Sequence, residues 1–214
     1  MNNITQLISI IIPVFNEGES IGYLLDEVLN VMQNNKLNCE LIVVNDGSND
    51  NTSTVLDELT IKIKELSVIS LRKNYGQTAA MAAGFDNSKG EIVITLDGDL
   101  QNDPNDIPKL ISHINEGYDL ICGWRYERKD KLISRRIPSK IANKLIANVT
   151  GLKLHDYGCS LKAFKKEIVD DIKLYGELHR FLPVLANIEG AKIKEIKVNH
   201  RSRKYGSSKY GIDR

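Results

Sequence analysis

Short runs rich in isoleucine and valine alternate with helix-length stretches along most of this chain, and that alternation limits the fold more than any other feature. The runs are Leu7–Val14, Leu41–Asn45, Val68–Leu71, Ile92–Leu96, Leu120–Gly123 and Ile193–Val198. Each is about five to eight residues long and rich in isoleucine and valine, as suits strands covered on both faces. Between them, Ser20–Gln33 places Ile21, Leu24, Leu25, Val28 and Leu29 at three- and four-residue spacing, with Ser20 positioned as an N-cap. Asn51–Glu65 repeats the pattern with Val55, Leu56 and Leu59. Gln77–Asn87 is rich in small residues (Ala79, Ala80, Ala82, Ala83), which lets its backbone approach a neighbour closely. Alternating strand and helix predicts a doubly wound, mainly parallel α/β sheet. No internal repeat, low-complexity tract or Pro/Gly/Ser linker interrupts the pattern, so the 214 residues read as one domain.

Composition narrows the function. Apolar residues make up 42% and charged residues 27%, enough for a real core. With 29 basic against 28 acidic residues the net charge is +1, which disfavours nucleic acid as the main partner. Cys39, Cys122 and Cys159 lie far apart with no CxxC, so their spacing gives neither a disulfide framework nor a zinc site and suits a reducing compartment. The N-terminal MNNITQ lacks the basic region of a signal peptide. The longest apolar stretch, Leu7–Phe15, falls well short of the roughly 18–20 residues a membrane helix needs.

Charge is unevenly distributed. Residues 125–144 carry eight Lys/Arg against Glu127 and Asp130, and residues 192–214 carry eight against Glu195 and Asp213. Between Asp97 and Asp106 stand four aspartates and no basic residue. Such runs are either solvated faces or an acidic point for a cation flanked by basic arms for phosphates.

In an open parallel sheet, ligands bind beyond the carboxyl ends of the strands. The first strand is followed by Pro13-Val14-Phe15-Asn16-Glu17, the second by Asn45-Asp46-Gly47-Ser48 and the fourth by Asp97-Gly98-Asp99-Leu100-Gln101. None is a GxGxxG or GxxxxGK[ST] loop, which disfavours a dinucleotide oxidoreductase and a P-loop nucleotidase. Asp97 and Asp99 point the same way in extended backbone and can address one cation, and Mg²⁺ or Mn²⁺ favours one or two carboxylates plus substrate phosphates. Asp-Gly is also an ordinary turn dipeptide. An EF-hand starting at Asp97 fails, because Asn102 stands at the glycine position and Pro108 at the twelfth. Asp46 reads either as a capping residue or as an acceptor for a base or ribose. Leu71 to Ala80 sets Arg72, Lys73, Asn74 and Gln77 at a helix entrance, which could receive a phosphate or be an ordinary cap.

Pro13-Val14-Phe15-Asn16-Glu17, Val44-Asn45-Asp46-Gly47-Ser48, Asn74-Tyr75-Gly76-Gln77 and Asp97-Gly98-Asp99-Leu100-Gln101 together resemble family 2 glycosyltransferases of the GT-A fold. Asp156-Tyr157-Gly158-Cys159-Ser160, Leu178-His179-Arg180-Phe181-Leu182-Pro183 and Arg203-Lys204-Tyr205-Gly206-Ser207-Ser208-Lys209-Tyr210 resemble the polyprenyl-phosphate branch, that of dolichol-phosphate mannosyltransferase. The resemblance covers essentially the whole chain in order. Asn45 stands where the family often has an acidic residue.

The resemblance implies a single GT-A domain with a nucleotide-sugar half, residues 1–101, and an acceptor half, residues 102–214. It implies a donor site formed by Pro13, Glu17, Asp46, Asn74, Gly76, Gln77, Asp97, Gln101, Arg125, Arg203 and Lys209. Asp97 and Asp99 would hold Mg²⁺ or Mn²⁺ on the diphosphate and, with Asp156, would form the catalytic set. Arg128, Arg135, Arg136, Ser139, Arg180 and Ser208 would receive the acceptor phosphate. A helix starting at Pro138, with Ile141, Leu145 and Val149 on one stripe and Lys140 and Lys144 elsewhere, suits either an anionic membrane surface or core packing. His179 reads as a structural or acceptor-side residue, and Cys122 and Cys159 as small buried hydrophobes.

The expected activity is therefore metal-dependent, inverting transfer of a sugar from a nucleotide diphosphate-sugar, GDP-mannose or a UDP-sugar, to a polyprenyl phosphate such as dolichyl or undecaprenyl phosphate. It is expected at the cytoplasmic face of a membrane, with a C-terminal membrane-associated segment beyond Arg214. Two other readings stand beside it: a family 2 transferase with a hydroxyl acceptor, in which Asp156 would be a general base, and a non-catalytic nucleotide-binding module.

Overall fold

The computed structural model describes residues 6–126, 147 and 150–205, and within them seven strands form one sheet with helices on both faces. The strands are β1 (Leu7–Val14), β2 (Asn38–Asn45), β3 (Leu66–Ser70), β4 (Ile92–Thr95), β5 (Leu120–Arg125), β6 (Lys162–Lys165) and β7 (Ile193–Val198). The helices are α1 (Ile21–Asn34), α2 (Thr52–Lys62), α3 (Gln77–Asn87), α4 (Ile107–Asn115), α5 (Lys166–Asp171) and α6 (Leu182–Ile188).

Across the sheet the order is β3-β2-β1-β4-β6-β5-β7. β1 pairs in parallel with β2 and β4, β2 with β3, and β5 with β7, while β6 runs antiparallel to both β4 and β5. The sheet is thus mainly parallel, as expected, with one reversed strand inserted.

β1 is apolar throughout because both its faces are covered. Ile8, Ile10 and Ile12 join a core with Leu24, Leu25 and Val28 of α1, whereas Ile11 packs with Ala80, Met81 and Phe85 of α3. The small residues of α3 serve this contact: a Cβ at Gly84 would lie 2.4 Å from Ile11 Cγ2. Helix and strand can approach that closely because glycine leaves the space open.

Strands β1 and β7 and helix α3 have the bounds expected from the sequence, while other elements shift by a few residues. β2 begins at Asn38 rather than Leu41, β3 covers Leu66–Ser70, β5 runs on to Arg125, and α2 ends at Lys62. β6, α4, α5 and α6 were not expected. Ser20 does sit at the N-cap of α1, but it makes no side-chain cap. Its hydroxyl instead donates to the Glu17 carboxylate at 2.7 Å, a charge-assisted bond, and to the Glu17 carbonyl at 3.2 Å. All three cysteines are buried and free, and burial pushes the Cys122 thiol up to about 12, so they behave as packing groups. Among the described residues, no helix is long and apolar enough to cross a membrane. The helix expected from Pro138 lies outside them.

Candidate functional site

The chain winds from β1 through β2 to β3 and then returns to the other side of β1 as β4. The topological switch therefore lies between the carboxyl ends of β1 and β4, the crevice where such sheets bind ligands. Glu17 enters from the turn after β1, and Asp97 and Asp99 enter from the turn after β4. Gly98 is what brings the turns together, since a Cβ there would lie 2.7 Å from Val14 Cγ1 and 3.5 Å from Glu17 Cγ. Both turns hold a non-glycine residue at positive φ, Asn16 at 54° and the buried Leu100 at 63°. Such costly backbone persists where the surroundings over-determine it.

Two carboxylates thus meet one cation. Arg203 Nη2 donates to Asp99 Oδ2 at 2.5 Å, and Arg203 Nη1 stands 3.6 Å from Glu17 Oε1. That Nη1 is buried and makes no hydrogen bond. Burial pushes the Asp99 carboxyl up to about 6, the Asp97 carboxylate adds to the rise, and Arg203 opposes it. Gln77 Nε2 donates to Asp97 Oδ1 at 2.8 Å, and the Gln101 amide donates to Asp99 Oδ1 at 3.1 Å. The cluster is short of positive charge. Asp97 and Asp99 suit a hard divalent ion, which would supply that charge. No group of three or more His, Cys, Asp or Glu among the described residues is arranged to hold a metal. A cation here would draw its remaining oxygens from a bound molecule, as Mg²⁺-type sites do.

Asp46, after β2, reaches across to the entrance of α3. Its Oδ1 accepts the Tyr75 amide at 2.7 Å and its Oδ2 accepts the Gly76 amide at 2.9 Å. Burial raises its pKa against these two bonds. At this entrance, which the sequence offered to a phosphate, those two amides are spent on Asp46. Asn45 closes its own turn, accepting the Ser48 amide at 3.0 Å and donating to Ser53 Oγ at 2.9 Å. Pro13 is half-buried in β1, and Asn74 is exposed on the loop before α3.

Arg125, at the end of β5, forms a fork with Asp156: Nε to Oδ2 at 2.7 Å and Nη2 to Oδ1 at 2.9 Å. Burial works to raise the Asp156 carboxyl, but the Arg125 fork prevails and holds it below the usual range. The neighbouring Ser160 hydroxyl donates to Asn102 Oδ1 at 2.8 Å, and the same oxygen accepts the Asp97 amide at 3.2 Å. This ties the 156–160 turn to Asp97. Asn102 went unnoticed in the sequence, although it stands one residue beyond the Asp97–Gln101 motif. Lys162, also unnoticed, is a lysine inside the apolar run Leu161–Phe164 and is 3% exposed. His179 Nδ1 shares a 2.7 Å hydrogen bond with Thr78 Oγ1 of α3, and burial, reinforced by Arg180, lowers its pKa. Arg180 itself is exposed on the 3₁₀ turn Leu178–Phe181.

Arg203 arrives on a segment, 199–205, that follows β7 and lies along the same edge. Asn102 and His200 form an antiparallel bridge, and the Arg201 amide donates to Gln101 O at 2.8 Å. Arg201 clamps Glu27 of α1 and Asp103 at 2.6 and 2.7 Å. Tyr205 stacks on Tyr23 with ring centroids 5.6 Å apart. The four aspartates of 97–106 therefore divide: Asp97 and Asp99 face the crevice, while Asp103 and Asp106 hold this segment through Arg201 and Asn199. Arg128, Arg135, Arg136, Ser139, Ser208 and Lys209 lie outside the described residues.

The chain is similar to several known proteins. A dodecaprenyl-phosphate galacturonate synthase of Rhizobium johnstonii is 46% identical over 213 residues, covering 97% of this chain and 62% of that protein. An undecaprenyl-phosphate 4-deoxy-4-formamido-L-arabinose transferase of Aeromonas hydrophila is 40% identical, covering 99% and 65%. The chain thus spans slightly under two thirds of the length of these relatives. Among solved structures, mannosyl-3-phosphoglycerate synthase from Rubrobacter xylanophilus superposes with a TM-score of 0.74 at 15% identity, over 94% of this chain and 68% of that one. Glucosyl-3-phosphoglycerate synthase from Mycobacterium tuberculosis, crystallised with Mn²⁺ and uridine-diphosphate-glucose, gives 0.69 at 19%, over 96% and 73%. These likenesses establish the fold, the GT-A architecture expected above. Residues 9–173 match the model for Glycosyl transferase family 2, and with relatives this similar the chain belongs to that family.

Proposed function

We propose that this chain carries the catalytic domain of a metal-dependent, inverting transferase that moves a sugar from a nucleotide diphosphate-sugar to a polyprenyl phosphate at the cytoplasmic face of a membrane. The observation that carries this reading is the pairing of Glu17 and Asp99 with Arg203 at the switch point, with the Asp97 carboxylate beside Asp99, an acidic cluster suited to the positive charge of a metal-bound diphosphate. The relatives' names supply the acceptor class. In this reading residues 1–101 receive the donor and residues 102–214 the acceptor.

Asp97 and Asp99 would hold the Mg²⁺ or Mn²⁺ ion, which supplies Lewis-acid stabilisation of the departing diphosphate. With that ion bound, Arg203 would be available to the diphosphate rather than to Asp99. Gln77 fixes the Asp97 carboxylate, and Asp46 fixes the loop on which Asn74 and Gly76 meet the nucleoside. An acceptor phosphate oxygen forms the new bond to the anomeric carbon on the face opposite the nucleotide. The bond to the diphosphate oxygen breaks, and its electron pair leaves with the nucleoside diphosphate. A phosphate monoester has its second ionisation near pH 6, so no base need remove a proton. Alignment and charge stabilisation carry the rate.

The Arg125 fork weighs against the hydroxyl-acceptor reading. A general base works best with a pKa near the operating pH, whereas Asp156 is held below its ordinary range by a paired guanidinium. Asp156 instead aims Arg125. The deciding experiment incubates the protein with UDP- and GDP-sugars, Mn²⁺ or EDTA, and either undecaprenyl phosphate or undecaprenol. Metal-dependent glycosyl phosphate formation with the phosphate alone is the expected result. Transfer to the alcohol would favour the hydroxyl-acceptor reading, and no nucleotide-dependent thermal shift would favour a binding module without catalysis.

A further inference from the structure

Lys162 opens β6 in the middle of the sheet, opposite Thr95 of β4 and Cys122 of β5. A lysine 3% exposed is costly, because its charge has left water, and such charges are normally paired. Among the described residues no carboxylate forms an ion pair with it. Its Nζ donates instead to two backbone carbonyls, Tyr157 O at 3.3 Å and Cys159 O. These carbonyls flank Gly158, and a Cβ on Gly158 would lie 3.5 Å from Arg125 Nη2 and 3.8 Å from Asp156 Oδ1. The turn gripped by the ammonium is thus the one packed against the Arg125–Asp156 fork. Its other end is anchored to β4, where Thr95 Oγ1 donates to Ser160 O at 2.6 Å, and through Asn102 to the Asp97 amide.

We infer that Lys162 is a positioning residue: its buried ammonium locks the 156–160 turn and thereby sets the Arg125–Asp156 fork at a fixed distance from the Asp97 carboxylate. The inference rests on the transferase reading for its catalytic consequence, though not for the lock itself. A cation in this place has a further effect. It adds positive charge beneath the acceptor side of the crevice without touching a ligand, and both Asp156 and His179 feel that charge. An apolar side chain would fill the same space but leave two buried carbonyls without a donor, which is costly.

The test compares Lys162→Met with Lys162→Arg, which keeps a cation and its donors. Lys162→Met should lower kcat at least 30-fold while nucleotide affinity stays within threefold, and Lys162→Arg should recover to within about fivefold of wild type. In a double-mutant cycle, Lys162→Met and Asp156→Asn should be non-additive, the double variant lying within threefold of the worse single one. Losses that multiply, or nucleotide affinity that falls in step with kcat, would overturn the inference. Amide hydrogen exchange provides a readout independent of turnover. Residues 156–160 should exchange at least tenfold faster in Lys162→Met, with α1 and α3 unchanged, and an unchanged turn would overturn the lock even if the wild type transfers no sugar. Should Lys162→Met fail to fold, Lys162→Gln, which removes the charge but keeps an amide NH2 donor, is held to the same criteria.

Discussion

Arg203 and Asp99 stand 104 positions apart in the chain, yet a guanidinium nitrogen of one lies 2.5 Å from a carboxylate oxygen of the other. The contact closes the crevice with a segment that follows the last strand, and it is the direct hydrogen bond of that guanidinium to the acidic cluster. Removing one partner of a buried charge pair leaves the other uncompensated. Arg203→Met should therefore lower the melting temperature of the metal-free protein at pH 8 by roughly 4–8 °C, from a loss of about 2 kcal/mol. The deficit should shrink at pH 5, where Asp99 is protonated. Differential scanning fluorimetry at the two pH values checks this.

Asp99 itself makes the opposite prediction. Its folded pKa, about 6, is raised above the ordinary 3.8, so the folded state holds an extra proton between those values. Stability from this group is full below about pH 4 and is lost as pH rises through 6. Asp99→Asn should accordingly raise the melting temperature of the metal-free protein at pH 7.5 by roughly 2–4 °C, for about 1 kcal/mol. The gain should vanish near pH 4. The same variant should lose the metal-dependent stabilisation by nucleotide, so that stability and binding move in opposite directions.

The fork between Arg125 and Asp156 titrates with the reverse sign. The folded Asp156 carboxyl is depressed, so its contribution is present above the ordinary carboxylate pKa and lost as pH falls through the lower folded value. Asp156→Asn should cost about 3 kcal/mol at pH 7, by stranding a buried guanidinium. Urea titrations at pH 7 and pH 3 should show the difference between variant and wild type narrowing with acid.

Gly98 offers a steric test. Alanine there would set its Cβ 2.7 Å from Val14 Cγ1, and overpacking of this kind costs about 1–3 kcal/mol. Gly98→Ala should destabilise the protein and weaken nucleotide binding together, because the displaced turn carries Asp97 and Asp99. Adding Val14→Ala opens the space and should restore part of both, as read by thermal shift with UDP or GDP and Mn²⁺.

Much of this was legible beforehand, for physical reasons that can be named. β1 showed itself because a long β-branched run is required of a strand buried along its length, β7 because Ile193, Ile196 and Val198 recur within six residues, and α3 because its small residues end where Ser88 and Gly90 begin a turn. β6 did not, since four residues with a lysine at each end have neither an alternating nor a continuous apolar pattern. α4 hid behind Pro108, which reads as a break but sits harmlessly at the second helical position. At the site, the Asp97-Gly98-Asp99 turn announced itself locally. That Asp103 and Asp106 serve the 199–205 segment rather than the crevice depends on partners nearly a hundred residues away. Nor does Lys162 differ, in sequence, from any solvent-exposed lysine on an edge strand.

The reversal of β6 has a consequence for how a protein like this can change. β5 ends at the ligand edge of the sheet at Arg125, and β6 begins at that same edge at Lys162. The chain between them therefore leaves and re-enters on one side, with Arg125 and Asp156 clasped near its two ends. An excursion attached in that way can be lengthened, shortened or exchanged without moving a strand. Evolution can then refit that side of the crevice while the side built from β1, β2 and β4 stays as it is.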